Sequence, residues 1–113
     1  MRYMSDNILT CKAILEAIKK IETYSQEFEN AEDFYHHELN FDATMMQFVI
    51  IGEMIVKIDE EFKAQYFQIP WQEIKDFRNL VAHNYFGVDS FEVWSIIKEH
   101  LPTFKNQIVE ILQ

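Results

Sequence analysis

Arg78, Asn79, His83 and Tyr85 put a guanidinium, an amide, an imidazole and a phenol close together, inside the stretch WQEIKDFRNLVAHNYFGVD that runs from Trp71 to Asp89. No other part of the chain crowds such groups. Imidazole ionises near neutrality, so His83 is the natural residue to move a proton. A guanidinium suits a phosphate oxygen and the charge that develops on phosphorus during displacement, which gives Arg78 its candidate role. Asn79 is four residues before His83, where it can orient the ring or touch a ligand. The set suits metal-free RNA cleavage, in which a ribose 2′-hydroxyl attacks its own phosphate. One histidine is few for a reaction that needs both a base and an acid. A symmetric dimer would bring two His83 and two Arg78 to one groove.

These side chains must be carried by a helix. With Arg78 at zero on a helical wheel, Ala82 falls at about 40°, Asn79 at about 100° and His83 at about 140°. Ile74, Phe77, Leu80 and Val81 take the opposite side, so one half enters a core. The Arg78 stem can then lean across the small Ala82 toward His83. A purely structural reading also stands: Arg78 pairs with Glu73, Asp76 or Glu53, and His83 interacts with the helix dipole. Tyr85, read from the residues alone, is a packing aromatic at the helix exit.

The rest of the chain reads as helical support. Ile8, Cys11, Leu15, Ile18 and Ile21, widened by Leu9 and Ile14, predict a helix over about Asp6 to Tyr24 that Ser5 or Asp6 caps. A polar stretch, residues 25–40, holds a weak cap at Asn30 with Asp33, and Phe34, Leu39 and Phe41 anchor a short helix there. The longest helix is expected from about Asp42 to Tyr66, apolar on more than one side and so central or dimer-facing. Within it Gly52 permits a close backbone approach. Glu53 either points into a cleft and bonds a basic group, or lies on a solvated turn. Pro70 falls in the first turn of the motif helix, and Gly87 stops that helix. Asp89 with Glu92 forms a capping box, with Val88 and Val93 as staple, opening a stripe of Phe91, Val93, Trp94, Ile97 and Leu101. Pro102 bends or restarts this helix before Phe104, Ile108, Ile111 and Leu112. The expectation is an all-α, antiparallel four- to five-helix bundle, a single domain over residues 1–113.

Ten Lys and Arg against nineteen Asp and Glu give a net charge of −9, the wrong sign for a sequence-blind nucleic-acid binder. Only Arg2 and Arg78 are arginines, which points to a very local anion site or to a partner that brings positive charge. Cys11 is the lone cysteine, so an intrachain disulfide framework is excluded and a reducing compartment, the cytoplasm, is implied. FVIIGEMIV is interrupted by Glu53 and is too short for a membrane span. Adjacent His36 and His37 beside Glu38 lack a second ligand pair at suitable spacing, so no metal is assigned. No cofactor is expected. Trp71 and Trp94 are read as packing residues, with base stacking by Trp71 as a further option.

RNLVAH followed by NY and FGVD resembles the Arg-x4-His-x-Tyr motif of the HepT-like proteins, a branch of the HEPN helical superfamily. The resemblance covers nearly the whole chain: ILEAIKKIETY is similar to the family's opening helix, VIIGEMIVKI to its long helix with the Gly-Glu step, and IPWQEIKDFRNLVAH to its motif helix. YFGVD and VWSIIKEHLP are similar to its return. The resemblance implies a homodimer whose two motifs line a shared cleft, and a toxin ribonuclease paired with an MNT-type nucleotidyltransferase antitoxin. It implies that Arg78 stabilises the scissile phosphate, that His83 transfers protons and that Asn79 orients RNA or the histidine. It also implies that Tyr85 is a nucleotidylation site, where added bulk and negative charge would block an anion groove. Asn84 stands between His83 and Tyr85, where relatives vary. The acidity of the chain suits either a narrow basic slot on an acidic body or a non-catalytic nucleotide-binding subunit of a nucleotidyltransferase.

Overall fold

The computed structural model describes the backbone of residues 2–113 and the side chains from Asp6 onward. Every regular element among the described residues is helical: α1 (Arg2–Ser25), α2 (Ala31–His36), α3 (Glu38–Lys57), α4 (Glu60–Gln65), α5 (Trp71–His83), α6 (Ser90–Ser95) and α7 (Leu101–Leu112). A 3₁₀ turn, Tyr85–Gly87, follows α5, and a π-helical segment, Ile96–His100, joins α6 to α7. The expected all-α class is present, with seven α-helical elements among the described residues in place of the expected four to five helices. Helix α3 is the centre of the bundle, packed on α1 and on α5, while α7 returns to α1.

Burial explains the arrangement. In α1, Cys11, Ile14, Ile18 and Ile21 recur at three- and four-residue spacing and are fully buried. Burial also pushes the Cys11 thiol up to about 11, as expected of a core residue rather than a nucleophile. Leu9 does not join this stripe and is exposed. The helix begins earlier than its apolar pattern, at Arg2, so Asp6 lies inside it and is no cap. The side chains of Arg2 and Ser5 lie outside the described residues. In α3, Phe41, Met45, Phe48, Ile51 and Ile55 are buried, as its position between two helices requires. Each such side chain contributes about 1.5–3 kcal/mol of transfer free energy. At 20 residues α3 is long and apolar enough to cross a bilayer, longer than the run FVIIGEMIV; 44% of its 18-residue apolar window is buried within the bundle.

Burial and helix ends differ from the sequence pattern in places. Asn30 caps α2, accepting from the Asp33 N–H at 2.9 Å, and Phe34 anchors it, but Leu39 is 76% exposed and anchors nothing. The long central helix ends at Lys57 instead of continuing to Tyr66, with Ile58 extended and α4 restarting beyond Asp59. Asn7, buried in α1, accepts from the Asp59 N–H and donates to its carboxylate, both at 3.2 Å, and so fixes the break. Asn7→Ala is expected to lower stability by about 1–3 kcal/mol, because the Asp59 N–H then loses its acceptor. Urea unfolding measures this, and an unchanged midpoint would show that the break needs no such clamp.

Pro70 is the N-cap of α5 rather than its first helical residue. Trp71 is buried, with its indole N–H donating to the Tyr66 carbonyl at 3.1 Å, so the stacking option is withdrawn. Asp89 caps α6 by accepting from the Phe91 N–H at 2.9 Å; Glu92 returns no bond among the described residues, so the capping box is half formed. Phe91 is exposed, whereas Val93 is fully buried. Beyond α6 the backbone stays helical through Leu112 without a restart. The π segment widens the turn just before Pro102, which lacks the N–H that the Lys98 carbonyl would need in a regular helix.

Candidate active site

Helices α3 and α5 meet at a glycine. A methyl group on Gly52 would overlap the Cβ and Cγ of Arg78, so the bare α3 backbone at this point is the seat for the arginine stem. The guanidinium emerges beside Glu53 and donates from Nη1 to its Oε1. Of the three acidic partners that the sequence offers, Glu53 is therefore the one that Arg78 bonds. The Arg78 side chain is only 15% exposed, against 52% for Glu53. Nε is buried without an acceptor among the described residues, and Nη2 is unengaged there. The expectation that the stem leans across Ala82 is corrected: it lies across Gly52, where the α3 backbone carries no side chain.

Asp42, Met46, Val49 and Glu53 follow one another at intervals of four, three and four residues, one stripe of α3. Tyr85 donates its hydroxyl proton to Asp42 at one end of the stripe, while Arg78 meets Glu53 at the other. The two helices are therefore antiparallel here. At the Tyr85–Asp42 end of the stripe lies a shallow groove of about 300 Å³, walled by those two residues with Met45, Met46, Val49 and Val81. His83 is the last residue of α5, exposed and unbonded among the described residues; Asn79 is half-buried and likewise unbonded. The Arg78 and His83 backbones are about 7.5 Å apart along the axis. The site is thus an ion-paired arginine, a free imidazole and a phenol held by a carboxylate.

Burial raises the Tyr85 phenol above its ordinary value, and the Asp42 hydrogen bond and charge raise it further, with a smaller effect from Tyr35. Asp42 was not singled out in the sequence. Its place on the Glu53 stripe, eleven residues away, is the signal that would have found it. Asp42→Asn is expected to bring phenol ionisation down toward the usual value without reaching it, since burial is the larger cause. Phenolate absorbance during alkaline titration reads this, and identical titration curves would remove Asp42 as a partner.

The remaining candidates separate from this site. His36 pairs with Glu32 at 4.0 Å, while the His37 ring packs against Phe28 at a centroid distance of 5.3 Å, so the adjacent histidines serve different neighbours. Trp94 packs on Phe34 and lies under Lys98. Gly87 closes the 3₁₀ turn because the Asn84 side chain occupies the position where a Cβ would stand, with its Oδ1 2.7 Å away.

Comparison with known proteins identifies the family. The model of the family described as Ribonuclease HepT-like matches residues 14–111. A protein of Methanocaldococcus jannaschii, named as a gamma-glutamylcyclotransferase and candidate RNase, is 35% identical over 100 residues, 88% of this chain; the chain spans only 45% of its length. A candidate RNase of Caldanaerobacter subterraneus is 30% identical over 111 residues, covering 98% of this chain and 92% of the relative. The "Probable ribonuclease HepT" of Thermococcus cleftensis is 35% identical over 98 residues, covering 87% and 88%. No solved structure matches the chain. With the motif helix, the Gly-Glu step and the return helix all inside the matched span, this chain belongs to the ribonuclease HepT-like family.

Proposed function

We propose that this chain is a metal-independent endoribonuclease, the toxin of a pair whose antitoxin is an MNT-type nucleotidyltransferase, and that it acts in the cytoplasm as a homodimer. The observation that carries the reading is the seating of Arg78 against Gly52 with Nη2 unengaged, on the same helix as an exposed, unpaired His83. A phosphate oxygen entering the groove displaces or shares Glu53 and takes the guanidinium. The ribose 2′-oxygen attacks phosphorus, its proton passes to one His83, and the 5′-oxygen leaves with a proton from the other. Asn79 orients the RNA or the ring. The exposed apolar side chains Met46, Val56 and Phe86 near this face support a second copy there, which supplies the second histidine. Tyr85 is the acceptor for nucleotidylation: its oxygen attacks the α-phosphorus of a nucleoside triphosphate held by the transferase, its proton passes to Asp42, diphosphate leaves, and the added charge closes the groove.

A second reading, a non-catalytic nucleotide-binding or regulatory subunit of the nucleotidyltransferase, draws on two observations: Glu53 already occupies Arg78, and the net charge is −9. Incubating the purified protein with bulk RNA and tRNA in EDTA separates the two. Products with 2′,3′-cyclic phosphate ends support the nuclease, and growth arrest on expression alone supports it again. Inertness across varied RNAs favours the subunit reading, and light scattering that finds only monomer removes the shared cleft.

A further inference from the structure

A second cleft, of about 480 Å³, opens on the side of α5 away from Arg78, between α3, α5, the π segment and α7. Its walls are apolar: Phe48 and Ile51 from α3, Phe77 and Leu80 from α5, Leu101 and Phe104 from α7. Carboxylates edge it, Glu73 and Asp76 on α5 and Glu92 on α6. All three are exposed, and none has a cationic partner among the described residues. The π segment, an irregularity that recurs at functional positions, forms one wall through Ile96 and His100.

Charge decides what fits here. Three unpaired carboxylates on a chain of net charge −9 repel RNA and nucleotides, so this cleft is no extension of the phosphate site. The apolar floor requires an occupant with large hydrophobic side chains, and the rim requires positive charge beside them. We infer that this cleft docks a basic amphipathic helix of a partner protein. Leu or Phe anchors at i, i+3, i+4 and i+7 fill the floor, while Lys or Arg side chains reach Glu73, Asp76 and Glu92. The inference rests on the apolar cleft and its rim, and stands whether or not the opposite face cleaves RNA.

The test uses the full chain and a labelled helical peptide of about 18 residues, with a Leu stripe and flanking lysines, against the same peptide with glutamates in place of the lysines. Fluorescence anisotropy is expected to show binding of the lysine peptide only. Reversing the rim with Glu73→Lys and Glu92→Lys should weaken it roughly tenfold or more, as should Leu80→Arg, which puts a charge over the 40% exposed leucine. Reversal of two exposed acids elsewhere, Glu16→Lys and Glu27→Lys, should change affinity less than threefold, about 0.6 kcal/mol. All these positions are exposed, so the variants should fold, and circular dichroism checks it. Equal loss in both double reversals would reduce the effect to general attraction by an acidic chain and overturn the inference. Binding unaffected by Leu80→Arg, or no binding of the lysine peptide, would overturn it too.

Discussion

His83→Ala protein is expected to cleave RNA about 10²–10⁴-fold more slowly than wild type, with its unfolding free energy within about 0.5 kcal/mol of wild type. The two halves of this expectation have separate causes. His83 is exposed at the end of α5 and bonds nothing among the described residues, so the fold loses almost nothing with it. On the proposed mechanism the reaction loses the group that takes the 2′-proton on one protomer and protonates the 5′-oxygen on the other. Arg78→Ala should reduce cleavage by a comparable factor, about 10²–10³, through loss of charge stabilisation at phosphorus. It leaves Glu53 without its partner, but that carboxylate is half in water, so the penalty to folding is small. Single-turnover cleavage with each variant, beside denaturant melts, measures both halves. Full activity in His83→Ala would eliminate proton transfer by this residue.

Gly52→Ala is expected to damage activity more than stability. Alanine gains about 1 kcal/mol of helix propensity over glycine. The added methyl, however, overlaps the Cβ and Cγ of Arg78, and the Cβ cannot swing aside because it is fixed to the α5 backbone. Forcing extra volume into such a contact costs about 1–3 kcal/mol. The sum predicts a net loss of about 0–2 kcal/mol, which should leave the chain folded. Activity should suffer more, since α5 moves away from α3 and takes the guanidinium from its place beside Glu53. A fall in cleavage of about 10²-fold from a misplacement near 1 Å is the scale to expect. Thermal melts and cleavage rates on the same preparation check the prediction. A variant as active and as stable as wild type would mean that the close approach at Gly52 does not position the arginine.

Local spacing in the sequence determined the helical class, the inward faces of α1 and α7, the Asn30 and Asp89 caps, and the motif side chains on or just beyond one short helix. These are legible because helix periodicity and capping act within one element, over three or four residues. The match of the motif and its flanking helices also carried the family. Tertiary structure alone decided the rest. Glu53 was chosen over Glu73 and Asp76 by a contact 25 residues away in sequence, made possible by Gly52 on a facing helix. Asp42 meets Tyr85 across 43 residues, and Asn7 ends the central helix across 52. The exposure of Leu39 and Phe91 was hidden for the same reason: apolar spacing marks which residues can be buried, and only the packing of other helices decides which of them are.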